Sequence, residues 1–378
     1  MLLASPARSL GKWKGADHPP TRTVETVEKF FKEGGKGAAH AIYPAETLSR
    51  RLPFTTEDTV HWKYAANKES LTKAQQVYEL PNARHWGFYG GSIIAKSGEL
   101  MGEVSRDIYG LKRHEALLRW KLPQCIHLRG VTASVSTPQA ASNYWHWTFD
   151  LLPRFHLLLK AGFTPDKVQH YLVNHNNLPF QLETFKALGI RCDQILRTDS
   201  ATHYKTDLLV VPTLKGQQYD VESWQTDFLR SLPFQRDTTL PTFKRIYVSR
   251  NTSPFRRLTN EADIIPIVES RGFSFLRMED FTWHQQRTLF EKAEVVLAPH
   301  GSGLTNTVYC APGSKVIEIM CPQYVDLAFW AHGDPVGLNQ GYLMGLGDVP
   351  PEGVDPVARA MDITVDPKKL SETLERWL

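Results

Sequence analysis

From about residue 120 the chain alternates short apolar runs with segments whose apolar positions recur at helical spacing. Val131 to Val135 reads as a strand, Tyr144 to Lys160 as a helix stopped by Gly162, and His170 to Val173 as a strand. Phe180 to Leu188 predicts a helix ending at Gly189, and Leu208 to Val211 a further strand. After a polar stretch at 215–242 that carries Pro233 and Pro241, the alternation resumes. RIYVS (245–249) is a strand, Asn260-Glu261 opens a helix that Gly272 stops, FSFLRM is a strand, and Thr282 starts a helix through Ala293. EVVLA and KVIEI supply the next strands. Alternation at this spacing predicts parallel sheets covered by helices, and the break near 215–242 predicts two α/β domains facing each other. Ligands of such sheets bind beyond the carboxyl ends of strands and between domains.

The first 120 residues lack this rhythm. Residues 1–80 are mixed and polar, with Pro19-Pro20 and Gly34-Gly35, and predict no architecture. GFYGGSIIAKSGELMGEVSRDIYG reads as short strands joined by turns at Gly90-Gly91 and Ser97-Gly98. The opening MLLASPARSLGKWKG lacks the apolar core of a signal peptide, and no stretch approaches the ~20 apolar residues of a membrane span.

Composition narrows the class only slightly. With 378 residues, 42% hydrophobic and 22% charged, the chain has the make-up of a soluble globular protein of one large or two ordinary domains. A net charge of +4 is too small over this length to make nucleic acid the main partner. Cys125, Cys192, Cys310 and Cys321 form no CxxC pair and no metal-like spacing, so reduced thiols in a cytoplasmic protein are expected.

Three stretches carry chemistry. In EVVLAPHGSGLTNTVYCAPGSKVIEI an apolar run is cut off by His300-Gly301-Ser302-Gly303. Glycines after a strand let the backbone approach a bound group, and a helix starting there turns free N–H groups toward an anion. The third glycine of a dinucleotide fingerprint is absent, with Asn306 in its place, while Glu318 on the next strand stands where a ribose-binding acid would. KRIYVSRNTSPFRRLTNE gathers Lys244, Arg245, Arg250, Arg256 and Arg257 around a strand end, and arginine forks match phosphate oxygens. It reads equally as a solvated basic loop. In NYWHWTFDLLPRFHLLLKAG, His146 and Asp150 lie four apart and share a helix face, so a carboxylate can orient an imidazole or act as a base itself. Pro153 predicts that this helix begins late or kinks.

Together the three stretches resemble glycosyltransferase family 61. Asn-x-x-His-x-x-x-Asp is present as Asn143, His146 and Asp150. A strand ending in Ser-Arg, then Arg and Asn-Glu, is present as Ser249-Arg250, Arg256 or Arg257, and Asn260-Glu261. Gln-x-x-x-Phe leading to His-Gly-x-Gly-Leu-x-Asn is present as Gln286, Phe290, His300, Gly301, Gly303, Leu304 and Asn306, with Glu318 beyond. The resemblance covers roughly residues 120 to 325. It implies a GT-B-type α/β architecture: two Rossmann-like domains across a cleft, acceptor-side at 121–235 and donor-side at 236–378. The C-terminal helix would cross back, and a β-rich extension, 1–120, would belong to the acceptor side.

It further implies an inverting transferase using a nucleotide-sugar, of the UDP kind, on a hydroxyl of a glycan or lipid-linked glycan, as in capsule or lipopolysaccharide assembly. Asp150, assisted by His146, would be the base, and Asn143 and Trp145 would lie on the acceptor side. Arg250, Arg256, Arg257, His300, Gly301, Ser302, Gly303, Leu304, Asn306 and Glu318 would hold the donor. No cofactor is expected. No Asp-x-Asp occurs in the chain, and with the arginines this points to a metal-independent site. The expected setting is the cytoplasm with peripheral contact to the inner membrane face, or the secretory lumen if an anchor precedes the sequence. The rival readings are a non-catalytic nucleotide- or glycan-binding protein on the same scaffold and an NAD-dependent oxidoreductase.

Overall fold

The computed structural model describes residues 17–87, 90–105 and 114–378. The leader reading of residues 1–15, and part of the strand-and-turn reading of 87–110, lie outside them.

The apolar runs become parallel strands. β1 (Ile126–Ser134), β2 (His170–Val173), β3 (Ile195–Arg197) and β4 (His203–Pro212) pair in the order β4-β1-β2-β3. From β1 the chain steps outward through β2 and β3, then returns to the other side of β1 for β4. That reversal leaves a crevice beyond the carboxyl ends of β1 and β4. β5 (Arg245–Val248), β6 (Ser274–Leu276), β7 (Val295–Pro299), β8 (Lys315–Met320) and β9 (Asn339–Met344) pair in parallel as β6-β5-β7-β8-β9. Their reversal lies between β5 and β7. Every residue of β7 is buried, as expected of a parallel strand covered on both faces.

The N-terminal region is divided between the two sheets. Gln75–Pro81 and Arg84–Trp86 pair antiparallel with β4, and further short strands extend the first sheet from them. Phe54–Thr55, however, runs parallel to β9 in the second sheet. Its flanks are tied there: Arg51 pairs with Asp334 through hydrogen bonds of 2.5 and 2.6 Å, and the His61 N–H donates to the Tyr342 hydroxyl at 2.8 Å. The first 120 residues therefore do not belong to the acceptor side alone.

Three other expectations are corrected. The 215–242 break contains a helix, Ser223–Ser231, whose polar sequence hides a capping box between Glu222 and Gln225 and a buried Phe228-Leu229 pair. The C-terminal helix, Pro367–Trp377, does not cross back; Leu370 and Leu374 pack with Ile264 and Val268 in the core of the second half. The helix at 144–160 does not start late at Pro153. It runs through a π turn, Trp147–Leu151, directly before the proline, so the register change accommodates the missing N–H.

One hydrophobic cluster spans both halves, joining Ala133, Trp147, Phe155 and Val210 to Val248, Trp283, Val296 and Val308. Polar latches reinforce it: Arg230 Nη1 donates to the Val308 and Cys310 carbonyls at 2.7 Å each, and Glu183 accepts from the Trp283 N–H at 2.7 Å. All four cysteines are free. Among the described residues no helix is long and apolar enough to cross a membrane.

Candidate active site at two strand-end crevices

At the β5–β7 crevice, the strand end is set by Glu261, whose Oε1 accepts from the Tyr247 and Ser249 hydroxyls at 2.7 and 2.8 Å. Arg250 follows. Across the crevice, β7 ends in Pro299 and the chain passes through His300-Gly301 into a 3₁₀ helix, Ser302–Tyr309. A Cβ on Gly301 would stand 1.9 Å from Arg250 Nη1, so the guanidinium packs on bare backbone. Gly301 itself is extended, with φ 175°; the close approach, not the conformation, demands glycine. A Cβ on Gly303 would meet Val248 Cγ1 at 3.0 Å.

Arg250 donates from Nη2 to the Phe255 carbonyl at 2.9 Å, while its Nε is buried and finds no acceptor among the described residues. Burial, with Arg256 nearby, lowers the guanidinium to about 10, so it remains a cation at neutral pH. A half-buried cation with a buried, unused N–H, set against glycine backbone, is matched to an anion. The crevice opens into a cavity of about 240 Å³ that Arg250 and Gly301 to Gly303 line on one side. Tyr144 and Phe180 from the first half and Met278 and Glu279 from the second complete its walls.

The other expected donor residues stand behind this surface. Arg256, in the left-handed region at φ 55°, donates from Nε to the His300 carbonyl at 3.1 Å and braces the back of the turn. Arg257 turns outward to pair with Asp362 at 2.8 Å. Glu318 does not line the cavity: it is 2% exposed and accepts from His300 Nδ1. Burial raises its carboxyl, and His300 partly offsets that. Leu304 lines the cavity although its side chain is buried. Asn306 is a buried hub. It accepts from the Tyr144 hydroxyl at 2.8 Å and donates to Gln286 Oε1 at 2.7 Å and the Gly303 carbonyl at 3.2 Å. A side chain thus occupies the place of a third glycine and joins the two halves.

At the β1–β4 crevice, Asn143 Oδ1 accepts from the Trp145 and His146 N–H groups at 2.9 and 3.2 Å, which fixes the first turn of the 144–160 helix. Asn143 is therefore a cap, and Trp145, 3% exposed, belongs to the core. His146 Nδ1 lies 2.6 Å from Asp150 Oδ2. Lys215, just after β4, brings Nζ to 2.8 Å from Asp150 Oδ1 and 4.4 Å from the centre of the Trp145 ring. Burial alone would raise the Asp150 carboxyl, but Lys215 and then His146 outweigh it and hold it at about 2. A carboxylate can only accept, so neutral His146 carries its proton on Nδ1 and presents a bare Nε2. That nitrogen makes no hydrogen bond to the described residues, and the side chain is 15% exposed.

The structure thus brings Arg250, Gly301, Ser302 and Gly303 together at one crevice and His146 and Asp150 at the other. Tyr144 spans the two, walling the cavity two residues before His146. Sequence reasoning missed Lys215 and Glu279. Both follow the carboxyl end of a strand, at β4 and β6, which is the signal that could have found them.

No curated protein matches the chain. Residues 144–317 match glycosyltransferase 61, and this segment contains His146, Asp150, Lys215, Arg250 and the whole His300–Asn306 turn, with Asn143 one residue outside it. By this match residues 144–317 are assigned to glycosyltransferase family 61.

Proposed function

We propose that the protein transfers a sugar, with inversion, from a nucleoside-diphosphate donor of the UDP-sugar kind to a hydroxyl of a glycan or lipid-linked glycan in surface-polysaccharide assembly. The two halves act in the GT-B manner, and the site works without a metal. The observation that carries this is the Arg250 guanidinium laid on Gly301 at the β5–β7 crevice with its buried Nε unused.

The donor diphosphate sits against Arg250 and the backbone N–H groups of the Gly301–Gly303 turn, which take up the charge that builds on the leaving group. The nucleoside lies between Tyr144, Phe180 and Met278, with Glu279 on the cavity wall to accept from ribose hydroxyls. His146, not Asp150, is the base. Asp150 already has both oxygens engaged and its carboxyl lies near 2, so it is a weak proton acceptor. His146 Nε2 takes the acceptor hydroxyl proton as that oxygen attacks the anomeric carbon, and the nucleoside diphosphate leaves from the opposite face. Asp150 holds the imidazole in the required tautomer and steadies it once charged.

The test is a thermal-shift panel with UDP, GDP, CDP and NAD. A nucleotide at a hundred times its dissociation constant adds about 2.7 kcal/mol of stability. UDP is expected to stabilise the protein and to lose that effect in Arg250→Ala. Stabilisation by NAD alone overturns the reading in favour of an oxidoreductase, and stabilisation by no nucleotide overturns the donor site.

A further inference from the structure

Lys215 lies outside every motif that drew attention in the sequence, yet its side chain is only 12% exposed. Its ammonium meets Asp150 Oδ1 at 2.8 Å and the face of Trp145 at 4.4 Å. The other Asp150 oxygen accepts from His146 at 2.6 Å. A chain of Lys215, Asp150 and His146 therefore runs across the β1–β4 crevice, from the loop after one strand to the helix after its neighbour. A plain structural ion pair would tie the loop to the helix and end there. This one continues into an imidazole whose outer nitrogen is left open, and it is anchored at the π turn of the helix, a helix irregularity common at functional sites.

We propose that Lys215 is a positioning residue of the transfer reaction, fixing the Asp150 carboxylate and balancing its charge so that His146 is held with Nε2 open. This rests on His146 being the base. With neutral His146 the lysine and aspartate charges cancel. Removing the ammonium leaves an uncompensated carboxylate beside the imidazole, which then binds a proton more tightly. The groups facing the pair are Asp150 from the same helix, Lys215 from the loop after β4, and His332 from the other half. His332 stacks on Phe149 at 4.8 Å, and burial together with Lys215 keeps it neutral, at about 3.

The experiment follows the His146 Cε1 resonance against pH in ¹³C-histidine-labelled protein, the signal being assigned by its loss in His146→Gln. In Lys215→Met the titration midpoint is expected to rise by about one pH unit, the low end of what a neighbouring charge does to a titrating group. Lys215→Arg, which keeps the charge, is expected to hold the midpoint. With the donor found by the nucleotide panel, the acid limb of kcat/KM moves with the resonance, while donor-induced stabilisation persists. A midpoint and acid limb left in place by Lys215→Met, or a rate lowered equally at every pH, overturn the proposal. Lys215→Gln serves in the same way should the methionine variant fail to fold. The base assignment fails separately, by a wild-type rate in His146→Gln, whatever the lysine variants do to the resonance.

Discussion

At the crevice between β5 and β7 a half-buried cation lies on bare glycine backbone with an N–H unused, whereas at the crevice between β1 and β4 each half-buried charge already has its partner. The same reversal of strand order produces both places. One is built around a deficit that an incoming anion would fill, the other around a completed chain that ends in an open imidazole nitrogen. The first suits binding and the second suits moving a proton. The comparison also separates the experiments, because a change at one crevice should leave the readout of the other intact.

The largest effect is expected at the paired crevice. His146→Gln should lower turnover by ~10²–10⁴-fold, the usual worth of a positioned general base. The nucleotide-induced thermal shift should stay at the wild-type value. Asp150→Asn should be less damaging, since it removes an orienting group, and the acid limb of the wild-type rate should lie well above about 2, where Asp150 titrates. A profile flat down to that pH, with Asp150→Asn the worse variant, would return the base role to Asp150.

Next in size are Arg250→Ala and Gly301→Ala. Hydrogen bonds to a charged group contribute ~1.5–3 kcal/mol, so Arg250→Ala should weaken nucleoside-diphosphate binding by ~10–100-fold, read by calorimetry. Gly301→Ala should reproduce that loss in a folded protein. Its Cβ would meet the flexible end of Arg250 at 1.9 Å, and a side-chain end can swing away where backbone cannot. The variant would therefore keep its arginine and lose its placement. Full affinity in Gly301→Ala would show that Arg250 does not bind from its resting position.

Tyr144→Phe probes the link between the crevices. It strips the buried Asn306 Oδ1 of its 2.8 Å donor, a change of ~1–3 kcal/mol for an orphaned buried acceptor. Melting temperature should fall, with smaller changes in nucleotide affinity and turnover than those above. A loss of turnover as deep as that of His146→Gln, at unchanged stability, would place Tyr144 in the chemistry rather than in the link.

The uneven legibility of these parts has physical causes. Strands β1, β2 and β4 to β8 were readable as apolar runs, most clearly β7, which is buried on both faces, and the glycines were readable because a turn without Cβ atoms stands out. Side chains that act through others were misjudged. Glu318 and Asn306 carry polar groups at positions where a ligand would want them, but their partners, His300 and Tyr144, are side chains brought in by folding. Lys215 was invisible because its partner lies sixty-five positions away in the chain, beside a strand that pairs with β1 only in the folded sheet. The helix at Ser223–Ser231 was missed because its cap is built from Glu222 and Gln225, which look like ordinary loop polarity.

Arg257 gives the smallest expected effect and the sharpest check on how finely the β5–β7 crevice is defined. It sits beside Arg256 in the basic loop and has the same chemistry, so the sequence treats the two alike. The fold does not. Arg256 turns inward to the His300 carbonyl, while Arg257 turns outward, half exposed, to Asp362. An exposed pair of this kind is screened by solvent and salt and contributes little. Arg257→Ala should therefore leave melting temperature, nucleotide-induced stabilisation and turnover at wild-type values, while Arg256→Ala, which unbraces the turn, should weaken nucleotide binding. If nucleotide affinity instead falls in Arg257→Ala, and falls more at low salt than at high, the positive loop acts on the donor as a whole field and not through the one arginine laid against Gly301.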